Sequence, residues 1–353
     1  MSDLRAPGPV DDGVEPPRRR RSPLRRLVEW SLTALVTLFI LRRIGIDLSS
    51  LGELDTLTLE LSLAPLIGSV LVLGLGYVVS ASLWGRMVRE MGGPSLPGRT
   101  SVPLFLVANL GRYVPGKVLQ IAGLTWLGRR HGVSAPVAAG AAILGQGVAL
   151  LGATVVGLAA FFSPALDPNL RLWGWLGLGA IAVFVVGSAV PAVSRRMRSL
   201  WFRIAGSDPP PPGDAGRDDR GFGLRWTALY ALNWSLYAVA FWLLFLGVVG
   251  WQPFLYVGPA FAAAYVGGYV ALFAPAGLGV REGLLAAFLA PVLDPRAALA
   301  LAVVARLWTT AVEVIPAGLM ARSVLRPEAA SGVSSSHVKA PGSQEYHDEG
   351  RLR

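Results

Sequence analysis

The sequence predicts an all-α fold, a polytopic membrane helical bundle with two re-entrant broken-helix hairpins arranged as an inverted repeat. Three observations lead there. Apolar residues make up 53% of the 353-residue chain, mean hydropathy is +0.52, and only 15% of residues are charged. A soluble chain of this length carries more charge and fewer runs long enough to cross a bilayer. The apolar run is broken twice by Pro-Gly turns that carry charge, Gly111-Arg112-Tyr113-Val114-Pro115-Gly116-Lys117 and Ala274-Pro275-Ala276-Gly277-Leu278-Gly279-Val280-Arg281-Glu282. Lipid offers no water to open backbone or to charge, so such breaks persist only inside protein or around a cavity. Lastly, basic residues gather between the apolar segments, the placement that the positive-inside bias produces.

Residues 1–26, with Arg18 to Arg21, are polar and Pro/Arg-rich and read as a disordered basic cytoplasmic tail. Leu27 to Leu41 is apolar and is followed by Arg42-Arg43 rather than a small-residue cleavage site. It therefore reads as a retained first membrane helix, not a signal peptide. Further apolar segments fall near 64–84, 102–128, 136–161, 172–193, 224–249, 254–274, 282–293 and 297–321. The first transmembrane half is then 27–193 with hairpin 102–128, and the second is 224–321 with hairpin 254–293. Between them lies a cytoplasmic linker, 194–223, whose Pro/Asp-rich stretch 205–222 reads as flexible. Residues 322–353 read as a disordered cytoplasmic tail, too short for a catalytic domain.

Charge sets the orientation. If 102–128 enters and leaves on one side, the cytoplasmic regions hold 23 of the 32 basic residues, and the other side receives only Arg42, Arg43, Arg171 and Arg296. A simple span at 102–128 breaks that partition, so the hairpin is the reading that charge supports. Both termini are then cytoplasmic. An offset of 160 residues maps Tyr77 to Tyr237, Pro115 to Pro275 and Gln146 to Arg306 in the order helix, helix, break, helix. Broken helices of inverted repeats meeting near the midplane are a recurring transporter plan.

Several function classes drop out. A net charge of +10 would suggest nucleic acid in a soluble protein, but confined to the loops of a membrane chain it does not, and no nucleic-acid partner is expected. Without cysteine there is no disulfide or thiolate chemistry. His131, His337 and His347 lie in a loop and a polar tail without metal-ligand spacing, so no metal or cofactor is expected. No triad or carboxylate dyad offers a catalytic residue, and the expectation is a non-enzyme.

The candidate site is built from charge at depth. Arg306 lies ten residues past Arg296, roughly 15 Å along a helix and about halfway through a ~30 Å hydrocarbon core. An arginine there costs about 2.5–3.5 kcal/mol on insertion scales, so it needs a partner or a wet cavity. Glu313 shares its helical face two turns away, and Glu282 on the facing broken helix is the better partner. The Arg306–Glu282 pair has two readings, a structural tie or a gate. Helices starting after Pro115-Gly116 and after Gly277-Leu278-Gly279 would present open N–H groups, with Lys117, Arg281 and nearby Arg112 adding positive charge. A phosphate or carboxylate suits that arrangement; cations snorkelling from a tight turn are the plainer reading. Gln146 flanks a small-residue stripe, Ala138, Ala142, Gly145, Ala149 and Gly152, which reads as helix packing. Trp30, Trp84, Trp173, Trp175, Trp226 and Trp251 stand at segment ends and read as interfacial anchors. Gly111 to Lys117 fits G-x-x-x-x-G-K, but Val118 replaces the Mg²⁺-holding hydroxyl and no strand–loop–helix context exists; Gly277 and Gly279 likewise fail the dinucleotide fingerprint.

At these residues the sequence resembles the transmembrane region of lysylphosphatidylglycerol synthases and the wider flippase-like integral membrane family. The resemblance rests on Asn109 to Lys117, on Arg129-Arg130-His131-Gly132-Val133, on Ala274 to Gly283, and on Arg306 and Glu313, and it covers roughly 25–325. Leu119-Gln120 stand where the family commonly has a Gly-Glu pair, and Ala276 stands for a frequent glycine. With no soluble aminoacyl-transfer domain in the sequence, lysyl transfer is not implied. The resemblance implies a flippase or scramblase in a bacterial cytoplasmic membrane, moving an anionic (phospho)lipid head group through a protein-lined cavity. Arg112, Lys117 and Arg281 would meet the phosphate, Arg306 and Glu282 would gate the path or complete the site, and Tyr113 would pack at the head-group edge. Pro115, Gly116, Gln120, Gln146, Pro275, Gly277, Gly279 and Glu313 complete the expected site. Two rivals stand beside this: a secondary transporter of a small anionic solute, and a non-transporting membrane partner of a cell-envelope glycosyltransferase.

Overall fold

The computed structural model describes residues 61–113, 118–162, 172, 175–177, 179–180, 183, 222–271 and 279–325. The expected first helix, nearly all of the linker, residues 114–117 and 272–278 of the two Pro-Gly breaks, most of 172–193 and nearly all of both tails lie outside these residues. The described residues include eight α-helices and no strand. They are α1 (Leu63–Glu90), α2 (Gly98–Asn109), α3 (Val118–Arg130), α4 (Ala135–Leu158), α5 (Phe222–Val248), α6 (Phe254–Val270), α7 (Val280–Leu289) and α8 (Pro295–Leu325). Short 3₁₀ turns extend α2 over Leu110–Tyr113 and α4 over Ala159–Phe162.

Turn chemistry sets the ends. Gly92 (φ 84°) and Gly132 (φ 80°) take the left-handed conformation just past α1 and α3, where a Cβ would be strained. Asp294 opens α8: its side chain accepts from the Arg296 N–H at 2.9 Å, and Pro295 fills the first helical position. Among the described residues four helices are long and apolar enough to cross a membrane: Leu63–Glu90, Ala135–Phe162, Gly223–Val248 and Pro295–Val324. By contrast α2 (12 residues), α3 (13), α6 (17) and α7 (10) are each shorter than the roughly 20 residues a span needs.

The long helices pack along their lengths. α1 and α5 run antiparallel: the Ser62 N–H donates to Gly247 O at 3.0 Å at one end, and Glu90 accepts from Arg225 (2.7 Å) and the Trp226 indole (3.1 Å) at the other. α2 packs on α3 and on α8, while α6 packs on α7 and on α4. The small-residue stripe of α4 serves this packing. A Cβ on Gly152 would lie 2.6 Å from the Tyr230 backbone, and one on Gly157 would lie 2.7 Å from the Ala263 backbone. Large side chains such as Leu71, Leu307 and Leu319 face outward, as lipid requires.

Two expectations need correcting. α1 continues six residues beyond the apolar segment 64–84 to Glu90, so Trp84 sits inside the helix and is buried to 1% exposure. Trp226 is also fully buried, with its indole held by Glu90. Neither is an interfacial anchor, whereas Trp175 and Trp251 are exposed.

Candidate functional site

The ionised residues converge on the middle of the long helices. Arg306 and Glu313 flank the midpoint of α8, and Tyr77 and Tyr237 lie close to the midpoints of α1 and α5. Glu313 is fully buried. Its Oε2 accepts from the Arg112 guanidinium and, at 2.6 Å, from the Tyr113 hydroxyl. Arg112 also reaches the Tyr77 hydroxyl at 3.4 Å. One carboxylate thus ties α8 to the turn that follows α2. A buried charge pair of this kind is expensive to break, because the survivor keeps its desolvation penalty.

A second pair lies beside it. Arg306 donates to Glu282 Oε1 at 3.4 Å, the partner that the sequence favoured. Glu282 Oε2 accepts from the Gly279 N–H at 2.7 Å, and Gly279 has a positive φ of 80°. The start of α7, read from sequence as open to an anion, is therefore met by a carboxylate of its own first turn. The Tyr113 ring stands between the two pairs, its centroid 5.4 Å from the Arg112 guanidinium and 6.0 Å from that of Arg306. Both lie within cation–π range.

Arg281 is different. Among the described residues it makes no hydrogen bond or ion pair; its guanidinium faces the rings of Phe261 (4.7 Å) and Tyr265 (5.6 Å). Gly268 admits this arginine, since a Cβ there would come within 2.8 Å of the Arg281 Cβ. Among the described residues of this region three guanidiniums thus face two carboxylates.

Two adjoining cavities meet at Arg281, one of about 100 Å³ and one of about 40 Å³. Arg112, Gln120, Tyr265, Arg281 and Thr309 line both. The smaller adds Tyr113, Tyr269 and Arg306. The larger reaches inward to Gln146, Asn109, Asn233 and Tyr237. Both fall well below the ~300 Å³ at which pockets begin to enclose drug-sized ligands. This conformation has room for waters or a small polar group, not for a whole lipid head.

Arg112, Tyr113, Gln120, Gln146, Gly279, Arg281, Glu282, Arg306 and Glu313 therefore fall in one region. Pro115, Gly116, Lys117, Pro275 and Gly277 lie outside the described residues. Sequence reasoning missed the uncharged polar wall: Asn109, which accepts from Gln120 at 2.5 Å, and Ser80, Asn233, Tyr265 and Thr309. A search for amides at the centres of apolar segments would have found Asn233. It also left Glu313 without its partner, Arg112.

The sequence matches the protein family described as the lysylphosphatidylglycerol synthase TM region over residues 27–317. That stretch takes in α1 to α7 and most of α8. Neither the curated proteins nor the solved structures contain a match. With four bilayer-length apolar helices and most of its length matched, this chain belongs to the lysylphosphatidylglycerol synthase transmembrane-region family, multi-pass membrane proteins of lipid-related function.

Proposed function

We propose that the protein is a lipid flippase or scramblase that moves an anionic (phospho)lipid head group across a bacterial cytoplasmic membrane, with both termini in the cytoplasm. One observation carries this reading: Arg281 lines both cavities at mid-bundle without an ion-pair partner among the described residues. A guanidinium held among aromatic rings and short of a counter-charge favours an anion that arrives from outside the protein. The two ion pairs beside it offset the charges of Arg112 and Arg306, so the attraction stays modest. A site that attracts a phosphate modestly can also release it, as passage through a membrane requires.

On this reading the head-group phosphate pairs with Arg281, and Lys117 meets it from the first break. The Arg306–Glu282 pair opens and closes the smaller cavity beside it. Pro115, Gly116, Pro275 and Gly277 interrupt the apolar sequence just before α3 and α7. Two features support re-entrant hairpins in an inverted repeat: α2, α3, α6 and α7 are too short to span, and α1 and α5, equivalent under the 160-residue offset, run antiparallel.

The test is lipid movement in liposomes reconstituted with purified protein. An anionic phospholipid labelled on its acyl chain, so that the head group stays intact, is challenged with an impermeant quencher. Quenching should exceed the outer-leaflet fraction. Arg281→Ala should slow the movement about 10- to 100-fold, the loss of a charge-assisted contact of about 1.5–3 kcal/mol. A variant that melts like the parent and moves lipid as fast would remove Arg281 from the site. No movement by folded parent protein would overturn the reading in favour of the solute or partner functions.

A further inference from the structure

Among the described residues Glu313 is the one charged side chain that is wholly buried, and its two oxygens are unequally served. Oε2 accepts from the Arg112 guanidinium and from the Tyr113 hydroxyl, while Oε1 has no hydrogen-bond partner among the described residues. Ionised, such a carboxylate depends on a single cation; as a neutral acid it would need none. That cation is not reserved for it, because Arg112 lines both cavities, as Arg281 does. Tyr113 lines the smaller cavity and donates to Glu313, which links that space to the buried carboxylate. α8 packs against α2 and its turn, α1, α5 and α7. At mid-bundle these bring Arg112 and Tyr113, then Tyr77 beside Arg112, Tyr237 behind Tyr77, and Arg281 and Glu282. Glu282 is held by Arg306 of α8 itself. Of all these groups, Arg112 and Tyr113 are the two that bond to Glu313.

From this arrangement we infer that Glu313 takes up a proton when the anion binds, so that lipid movement is coupled to proton movement. The inference rests on the proposed function and adds what can drive it. A phosphodiester entering between Arg112 and Arg281 competes with Glu313 for Arg112. Two anions sharing one desolvated guanidinium do not both stay ionised. The phosphodiester is the stronger acid and keeps its charge, so the proton goes to the carboxylate. Water admitted to the smaller cavity supplies it: the Tyr113 oxygen gains a proton from water as the hydroxyl passes its own to Glu313 Oε2. Arg112 keeps its protons and its charge throughout. When the phosphate leaves, the proton returns by the same route and Arg112 pairs with Glu313 again. An anion and a proton taken up together add no net charge, so the membrane potential does not oppose the loaded step.

The test imposes a pH gradient on liposomes holding the intact protein and a trace of acyl-chain-labelled phosphatidylmethanol, whose head carries no titrating group but the phosphodiester. An impermeant quencher reads the outer-leaflet share, and protein-free liposomes under the same gradient give the background. The label should gather in the leaflet facing the alkaline side, towards a ratio of about tenfold for a gradient of one pH unit, as one proton per anion requires. Nigericin in potassium buffer, which collapses the gradient, should restore an even distribution. Glu313→Gln should lose the bias. Tyr113→Phe, which keeps the Arg112–Glu313 pair, should reach the same ratio about tenfold more slowly, and it tests the route if Glu313→Gln does not fold. An even distribution under the gradient, in parent protein that moves the label, would overturn proton coupling and leave the proposed function standing. A bias that persists in folded Glu313→Gln, or that forms as fast in Tyr113→Phe, would overturn the assignment of the proton to this pair. No movement of label by folded parent protein would overturn the proposed function and this inference with it.

Discussion

The two halves of the chain share a helix order and differ in what they place at mid-bundle. Shifted by 160 residues, α1 to α4 fall on α5 to α8: α4 and α8 begin at Ala135 and Pro295, and α1 and α5 at Leu63 and Phe222. Under that shift Arg281, Glu282, Arg306 and Glu313 stand where the first half has Ile121, Ala122, Gln146 and Ala153. The second half supplies two arginines and both carboxylates, and the first contributes only Arg112 among the described ionised residues. Packing can be duplicated at little cost, because helices that bury apolar faces suit either half. Charge cannot, because every ionised group inside a bilayer carries a desolvation penalty that needs its own compensation. The difference suggests that one half acts as the ionised wall of the site and the other as its neutral wall.

The sharpest way to break this comparison is to remove the charge that joins the halves. Glu313→Gln should destabilise the protein by about 3 kcal/mol, the lower end for a buried pair, since Glu313 is fully buried while Arg112, left without its anion, keeps 23% side-chain exposure. Unfolding in a denaturing detergent titration measures the loss. The double variant Arg112→Ala/Glu313→Ala should lose less than the two single changes combined. Strict additivity would mean that the pair does not couple α2 to α8.

A milder change makes the halves alike. Arg306→Gln gives α8 the amide that α4 has at Gln146. Glu282 then loses one donor and keeps the Gly279 N–H. The pair retains 15% and 13% side-chain exposure, so water offsets part of the loss and the expected destabilisation is about 1–3 kcal/mol. If the loss matches that of Glu313→Gln, the two pairs are equally buried in the membrane and the neutral and ionised walls differ less than the structure implies.

These two pairs also mark how far the sequence could be read. Helix class, the long segments and the Arg306–Glu282 pair follow from local properties: apolar length, charge at a countable depth, and an acidic residue in the apolar segment just before it. The Arg112–Glu313 bond joins residues 201 apart, and no spacing rule spans that distance. Trp84 was misplaced because apolar composition ends before the helix does; Met87 and Val88 continue its buried face while Arg86 and Arg89 lie on the other side or the edge. The neutral wall was missed for a different reason. Amides and hydroxyls at the centre of an apolar run are weak signals singly, and Asn233, Ser80 and Gln146 gain meaning only when three helices bring them to one cavity.

The smallest expected effect tests that neutral wall. Under the 160-residue shift Ser80 corresponds to Ala240, which is buried without a polar group. Ser80→Ala therefore makes α1 like α5 at this position. It deletes the hydrogen bonds to Tyr237 and Asn233, and the cavity beside them lets water replace part of what is lost. A destabilisation of about 1 kcal/mol is expected, the net value of an ordinary hydrogen bond rather than of a buried charge. Lipid movement in liposomes should change little, because Ser80 carries no charge and the Arg281 guanidinium keeps its place between the Phe261 and Tyr265 rings. A variant that melted like the parent and yet lost lipid movement would show that the neutral wall, and not only the ionised one, meets the moving head group.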